Sequence, residues 1–159
     1  MKQVIFVCSA NTCRSPLGEY IFEQEAQEQG LTGWSASSAG LAAWEGEAMS
    51  DFSAQLLQEN YPELDISSFR SKALHREDVA QAELILCMTE GHRSALLRAL
   101  GPEEGAKVHS LIAYARGLEE GAEADIYDPY GGDIGVYAAC FGQIRDCVRR
   151  IVRELKSRS

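Results

Sequence analysis

Apolar positions along the 159-residue chain fall into two rhythms, short unbroken runs and longer stripes with helical spacing. Val4 to Val7 form one run of strand length, and Leu84-Ile85-Leu86-Cys87-Met88 form another. Unbroken runs suit strands covered on both faces, as in parallel sheets. After the first run, Leu17, Tyr20, Ile21 and Phe22 make a stripe that predicts a helix from Ser15-Pro16 to about Gln29, stopped by Gly30. Trp34 to Ser38 reads as a strand and Gly40 to Gly46 as a loop. Ala48 to Asn60 reads as a helix that turns Phe52, Leu56 and Leu57 inward and closes before Pro62.

The second half repeats the alternation. Asp65 to Leu74 is irregular, with Ile66 and Phe69 as anchors, and Glu77 to Gln81 allows one or two helical turns. A helix over Glu90 to Leu100 follows the second apolar run, and Lys107-Val108-His109 is a short fourth strand. The polar stretch Gly117 to Ala124 leads to Asp128-Pro129-Tyr130-Gly131-Gly132. A final helix from Gly135 or Val136 carries Ile144, Val148, Ile151, Val152 and Leu155 on one face. The pattern predicts one α/β domain over residues 1–159, a three-layer α/β/α fold around a central four-stranded, mostly parallel sheet. Ligands of such sheets bind beyond the carboxyl ends of the strands, where Cys8 lies.

Composition narrows the partners. The formal charge of -9, with 15 Lys plus Arg against 24 Asp plus Glu, argues against nonspecific nucleic-acid or anionic-membrane binding. The basic residues near the end, from Arg145 to Arg158, fit the solvated face of the last helix. No stretch approaches the roughly 18 apolar residues of a membrane span. Met1-Lys2-Gln3 leads straight into the first strand, so the expected location is cytoplasmic. The five cysteines (Cys8, Cys13, Cys87, Cys140 and Cys147) form neither a disulfide framework nor a zinc spacing.

The chemistry concentrates in Cys8-Ser9-Ala10-Asn11-Thr12-Cys13-Arg14-Ser15-Pro16, which starts where the first strand ends. A loop between strand and helix aims successive backbone N–H groups at one point, and the helix start adds its positive end. That field favours a thiolate at Cys8, and Arg14 offers two parallel donors to phosphoryl oxygens. The bland reading makes Cys8 a buried strand-end cysteine and Arg14 a surface residue. Small and polar loop residues flanked by strand and helix favour the phosphate-binding one.

This nine-residue stretch resembles the opening motif of the low-molecular-weight protein phosphatases. The resemblance extends through Ser38-Ala39-Gly40, Leu84 to Thr89 and Asp128-Pro129-Tyr130, nearly the full length. It implies a hydrolase that acts through a phosphocysteine intermediate, with Cys8 as nucleophile, Arg14 as phosphate clamp and Ser15 as hydroxyl donor to the thiolate. Ser9, Ala10, Asn11, Thr12 and Cys13 complete the phosphate-binding loop, with Asn11 holding its shape. Asp125, Asp128 and Asp133 lie close together, and composition alone does not choose among them. The family's acid precedes a proline, which selects Asp128; read blandly, the same segment is a surface turn. No metal or cofactor is called for. Phosphorylated proteins or peptides are the expected partners and inorganic phosphate the product.

Thr12 stands where tyrosine-specific members carry an aliphatic residue, and the resemblance to phosphoarginine-hydrolysing members at Thr12 and at Asp128 to Gly132 favours protein-arginine phosphatase activity. Trp44 and Tyr130 form an expected aromatic rim, suited to sandwiching phosphotyrosine or to stacking on a guanidinium plane, so protein-tyrosine phosphatase activity stays open. An arsenate reductase would need a mobile relay of cysteines, which Cys87, Cys140 and Cys147 do not offer. A phosphopeptide-binding module would not need both Cys8 and Asp128. The family also pairs its two loop cysteines under oxidation, which makes Cys13 a redox partner for Cys8; packing against the helix core is its plainer role.

Overall fold

The computed structural model describes residues 1–121 and 125–159. In chain order the described elements are β1 (Lys2–Cys8), α1 (Arg14–Gln29), β2 (Trp34–Gly40), α2 (Asp51–Asn60), α3 (Arg76–Gln81), β3 (Leu84–Cys87), α4 (Glu90–Ala99), α5 (Pro102–Gly105), β4 (Val108–Ser110), α6 (Leu111–Arg116) and α7 (Ile134–Ser157). The two apolar runs pair as neighbours, Val4 opposite Leu84 and Val7 opposite Cys87. The sheet order is β2-β1-β3-β4, and every pairing is parallel.

Side-chain alternation along β1 separates two cores. Val4, Phe6 and Cys8 pack with Leu17 and Ile21 of α1, Leu57 of α2, Leu111 of α6 and Ile144 and Val148 of α7. Ile5 and Val7 pack on the other face with Val79 of α3 and Leu96 of α4. Helices therefore cover both faces, the expected three layers. Truncating a fully buried side chain such as Leu17 to alanine costs about 2–5 kcal/mol. Among the described residues, no helix is long and apolar enough to cross a membrane.

Several boundaries move. The second helix begins at Asp51, not Ala48, because the Ser50 amide is drawn away to the Thr12 carbonyl at 2.9 Å and Ser50 is extended. The last helix begins at Ile134, because the Asp133 side chain accepts the Val136 N–H at 3.1 Å. Helices α5 and α6 are additions to the expected set, each too short to show a helical stripe. Part of the polar stretch ending at Ala124 lies outside the described residues.

Buried Glu25 ties α1 to α2 and α7, accepting from Tyr61 Oη at 3.1 Å and lying 3.1 Å from Arg149 Nε. Burial, with this carboxylate beside it, pushes the Tyr61 hydroxyl up to about 12.

Candidate active site

Three parallel strands end together, with Cys8 of β1 opposite Gly40 of β2 and Val7 opposite Cys87 of β3. The loop Ser9 to Cys13 leaves this edge and enters α1 at Arg14. Gly40 is set by the loop's close approach, since a Cβ there would collide with the Ser9 carbonyl oxygen. The Leu41 and Ala42 N–H groups donate to the Cys8 and Ser9 carbonyls, each at 2.9 Å, and lock the loop to the end of β2.

Asn11 is the hinge of the loop. Its φ of 59° lies in the left-handed region, which asparagine tolerates better than most side chains. Its Oδ1 accepts the Lys72 N–H at 2.9 Å, which fixes the orientation of the amide. Nδ2 then donates to Ser15 Oγ at 2.8 Å and to Ser38 Oγ at 3.0 Å. The Ser38 hydroxyl in turn donates to Glu19 Oε1 at 2.6 Å. Burial raises the Glu19 carboxyl above its usual range, and the Ser38 hydrogen bond acts against that shift.

This chain of donors determines what Ser15 does. Its oxygen accepts from Asn11, leaving its O–H to donate to Cys8 Sγ, 2.9 Å away. Asn11 and Ser15 are fully buried, so water does not compete for these bonds.

Arg14 is buried at 5% exposure and donates from Nη1 to the Ile126 carbonyl at 2.9 Å. Its Nη2 lies 3.7 Å from Asp128 Oδ2. Asp128 Oδ1 accepts the Tyr130 N–H at 3.1 Å, and the turn closes through Gly132 N–H to Pro129 O at 2.8 Å. Gly131 takes a φ of 82° within it. Of the neighbouring carboxylates, Asp125 accepts the Glu90 N–H at 2.9 Å and Asp133 caps α7. All three hold a backbone N–H, and Asp128 also turns its second oxygen toward Arg14.

Cys8, Ser9, Ala10, Thr12, Cys13, Arg14, Asp128 and Tyr130 surround a cavity of about 90 Å³. Among the described residues, four larger hollows are lined by residues other than Cys8 and Arg14. Tyr130 is 82% exposed at the mouth. Trp44 is 77% exposed on the loop after β2 and is not among the residues lining this cavity. The Thr12 hydroxyl has one hydrogen-bonding neighbour among the described residues, the Cys13 sulfur at 3.9 Å. Cys13 packs in the larger core and lies 3.5 Å from the Tyr137 hydroxyl, which burial and this thiol push up to about 12.

Sequence reasoning missed His92. Its Nε2 lies 2.8 Å from Ser9 Oγ, while its buried Nδ1 has no partner among the described residues. Burial and the nearby Arg14 charge push the imidazole down to about 4. Thr89 Oγ1 accepts the His92 backbone N–H at 3.1 Å and caps the start of α4. A separation of 83 positions between Ser9 and His92 leaves no local signal in the sequence.

The remaining thiols are buried. Burial pushes Cys87 and Cys140 up to about 12 and Cys147 up to about 11. Among the described residues no three His, Cys, Asp or Glu side chains gather as a metal site.

Residues 3–159 match the family model for low molecular weight phosphotyrosine protein phosphatase. A protein-arginine-phosphatase of Geobacillus stearothermophilus is 32% identical over 155 residues, spanning 98% of this chain and 97% of its own. A low molecular weight protein-tyrosine-phosphatase, PtpB, of Staphylococcus epidermidis is 35% identical over 150 residues, 94% of this chain and 96% of its own. A solved YwlE arginine phosphatase, a cysteine-to-serine variant with a phosphorylated active-site serine, superposes with a TM-score of 0.87 at 29% identity, covering 97% of this chain and 95% of that one. Fold, loop and full-length similarity agree, and the chain belongs to the low-molecular-weight protein phosphatase family.

Proposed function

We propose that Cys8, Arg14 and Asp128 hydrolyse phosphorylated amino-acid side chains of proteins in two steps, with phosphoarginine preferred over phosphotyrosine. The observation that carries the reading is the convergence on one cavity of a sulfur held by a hydroxyl donor, a buried guanidinium and a carboxylate.

In the first step Cys8 Sγ attacks phosphorus while the bond to the side-chain nitrogen breaks. Asp128 gives that nitrogen its proton, and arginine leaves. In the second step water attacks the phosphocysteine, Asp128 accepts the water's proton, and the S–P bond breaks. The returning thiolate is met by the Ser15 O–H, which makes sulfur a better leaving group. Arg14 and the loop N–H groups hold the equatorial oxygens in both transition states. The serine that stays phosphorylated in the solved relative is what such a pathway leaves when sulfur is replaced by a poorer leaving group.

Thr12 supports the choice of phosphoarginine. It lines the cavity, and among the described residues its hydroxyl meets only the Cys13 sulfur at 3.9 Å, so it can accept a guanidinium N–H. An aromatic leaving group presents no such partner. The test is release of inorganic phosphate from a phosphoarginyl peptide by the wild type and by Cys8→Ser. The reading predicts turnover by the first and none by the second; equal release by both contradicts it.

A further inference from the structure

The start of α4 supports the cavity from a side that the two-step reaction does not use. Just before the helix, the Met88 N–H donates to the Val7 carbonyl and the Met88 carbonyl accepts the Ile126 N–H, each at 2.9 Å. The Glu90 N–H meets Asp125 Oδ1 at 2.9 Å. The end of β1 and the segment leading to Asp128 therefore rest on one short stretch of chain. His92, in the first turn of α4, adds a side-chain tie from that stretch to the nucleophile loop, with Nε2 2.8 Å from Ser9 Oγ.

Ser9 follows the nucleophile, is exposed and lines the cavity. It is held from two sides. Its carbonyl accepts the Ala42 N–H from beyond β2 at 2.9 Å, and its hydroxyl meets His92 from α4. Asn11 and Ser15 fix the later half of the loop through their own buried bonds. Among the described residues, His92 is the one side chain bonded to the first half.

The state of the ring decides which way that bond runs. Arg14, Asp125 and Asp128 are the charges that act on His92, and burial together with Arg14 keeps the imidazole neutral at pH 7. A neutral imidazole carries one N–H. On Nδ1 that hydrogen would be a buried donor with no partner among the described residues; on Nε2 it is donated to Ser9 Oγ.

We propose that His92 is a positioning residue: its Nε2–H holds Ser9, and through Ser9 it keeps the backbone N–H groups at the start of the loop converged on the place a phosphoryl group occupies. The proposal rests on the phosphatase reading of the Cys8 cavity. Donors that already converge bind an anion without an ordering cost, whereas a loop ordered only on binding loses affinity.

The experiment titrates inorganic phosphate into the wild type, His92→Leu, Ser9→Ala, the double variant and His92→Gln by calorimetry, and measures their denaturation midpoints. Each of the first two substitutions should weaken phosphate binding by about threefold to tenfold. The double variant should bind no more weakly than the weaker single one, because both changes remove the same bond. His92→Gln, whose side-chain amide still donates, should stay within about twofold of the wild type. On a phosphoarginyl peptide, kcat/KM should fall in the same order.

Wild-type phosphate affinity in Ser9→Ala overturns the proposal, as do losses that multiply in the double variant. So does His92→Gln binding as weakly as His92→Leu. A lower denaturation midpoint in His92→Leu with unchanged phosphate affinity would make His92 a stabilising residue only, and also overturns it. Should His92→Leu fail to fold, Ser9→Ala, at an exposed position, and His92→Gln still decide. Absence of phosphate release by the wild type from phosphoarginyl and phosphotyrosyl peptides would instead contradict the phosphatase reading, so the two failures are distinguishable.

Discussion

Arg14 and Asp128 are 114 positions apart in the chain, yet Nη2 of one lies 3.7 Å from Oδ2 of the other. The distance leaves the guanidinium able to bind phosphoryl oxygens while the carboxylate waits at the mouth of the same cavity. Ile126 makes this possible by accepting Nη1 at 2.9 Å, which anchors the Asp128 loop to the arginine itself.

Asp128→Asn should keep the loop's turn, since an amide oxygen still accepts the Tyr130 N–H. Under the proposed mechanism it removes the proton donor, a contribution of typically 10²–10⁴-fold in such reactions. The expected result is a loss of about a hundredfold or more in kcat on substrates with poor leaving groups, and a smaller loss on aryl phosphates with good ones. Equal losses on both kinds of substrate would remove Asp128 from the proton-transfer role.

The strand, loop and first helix were legible because every signal is local: an apolar run, small polar residues, then a helical stripe. Which aspartate faces Arg14 was not legible from composition. Three aspartates occupy one short segment and each accepts a backbone N–H; what separates them is the 3.7 Å approach of Asp128 to Arg14. Asn11 shows the same limit. That it holds the loop's shape is an expectation from the sequence, but the Lys72 N–H that orients its amide comes from 61 positions away. Short α6 hid because Leu111-Ile112-Ala113 reads as apolar filling without a period.

Thr12→Ile tests selectivity within the loop. Losing one productive hydrogen bond should shift the rate ratio toward phosphotyrosine by about tenfold to a hundredfold, equivalent to roughly 1–3 kcal/mol. Steady-state kinetics on matched phosphoarginyl and phosphotyrosyl peptides read this directly. An equal loss on both would make Thr12 a structural residue of the loop.

Cys13 lines the cavity that also holds Cys8, with its sulfur against the Tyr137 hydroxyl. We propose that it captures oxidised Cys8: peroxide converts the thiolate to a sulfenic acid, and the Cys13 thiol displaces water to form a disulfide. Wild-type enzyme inactivated by peroxide should then recover with added thiol, whereas in Cys13→Ser a second peroxide carries the unprotected sulfenic acid on to sulfinic acid, which thiol does not reverse. Mass spectrometry should find a Cys8–Cys13 link in the inactivated wild type. No link, together with equal recovery of the variant, would end the proposal.

His92 predicts a pH dependence of stability. Its folded-state value of about 4 lies below the ordinary 6.5, so the unfolded chain binds its proton first as pH falls. The stabilisation tied to neutral His92 is complete above 6.5 and is lost as pH falls toward about 4. His92→Gln keeps a donor for Ser9 but does not titrate, so the drop in denaturation midpoint across that window should be smaller than in the wild type. Superimposable pH profiles would show that His92 carries no such linkage.

The most direct test of the account is kcat/KM of the wild type on one peptide sequence carrying either phosphoarginine or phosphotyrosine at the same position. The cavity geometry around Cys8, Arg14, Asp128 and Thr12 predicts that phosphoarginine is cleaved faster, by about tenfold or more. Equal or faster cleavage of phosphotyrosine would contradict it.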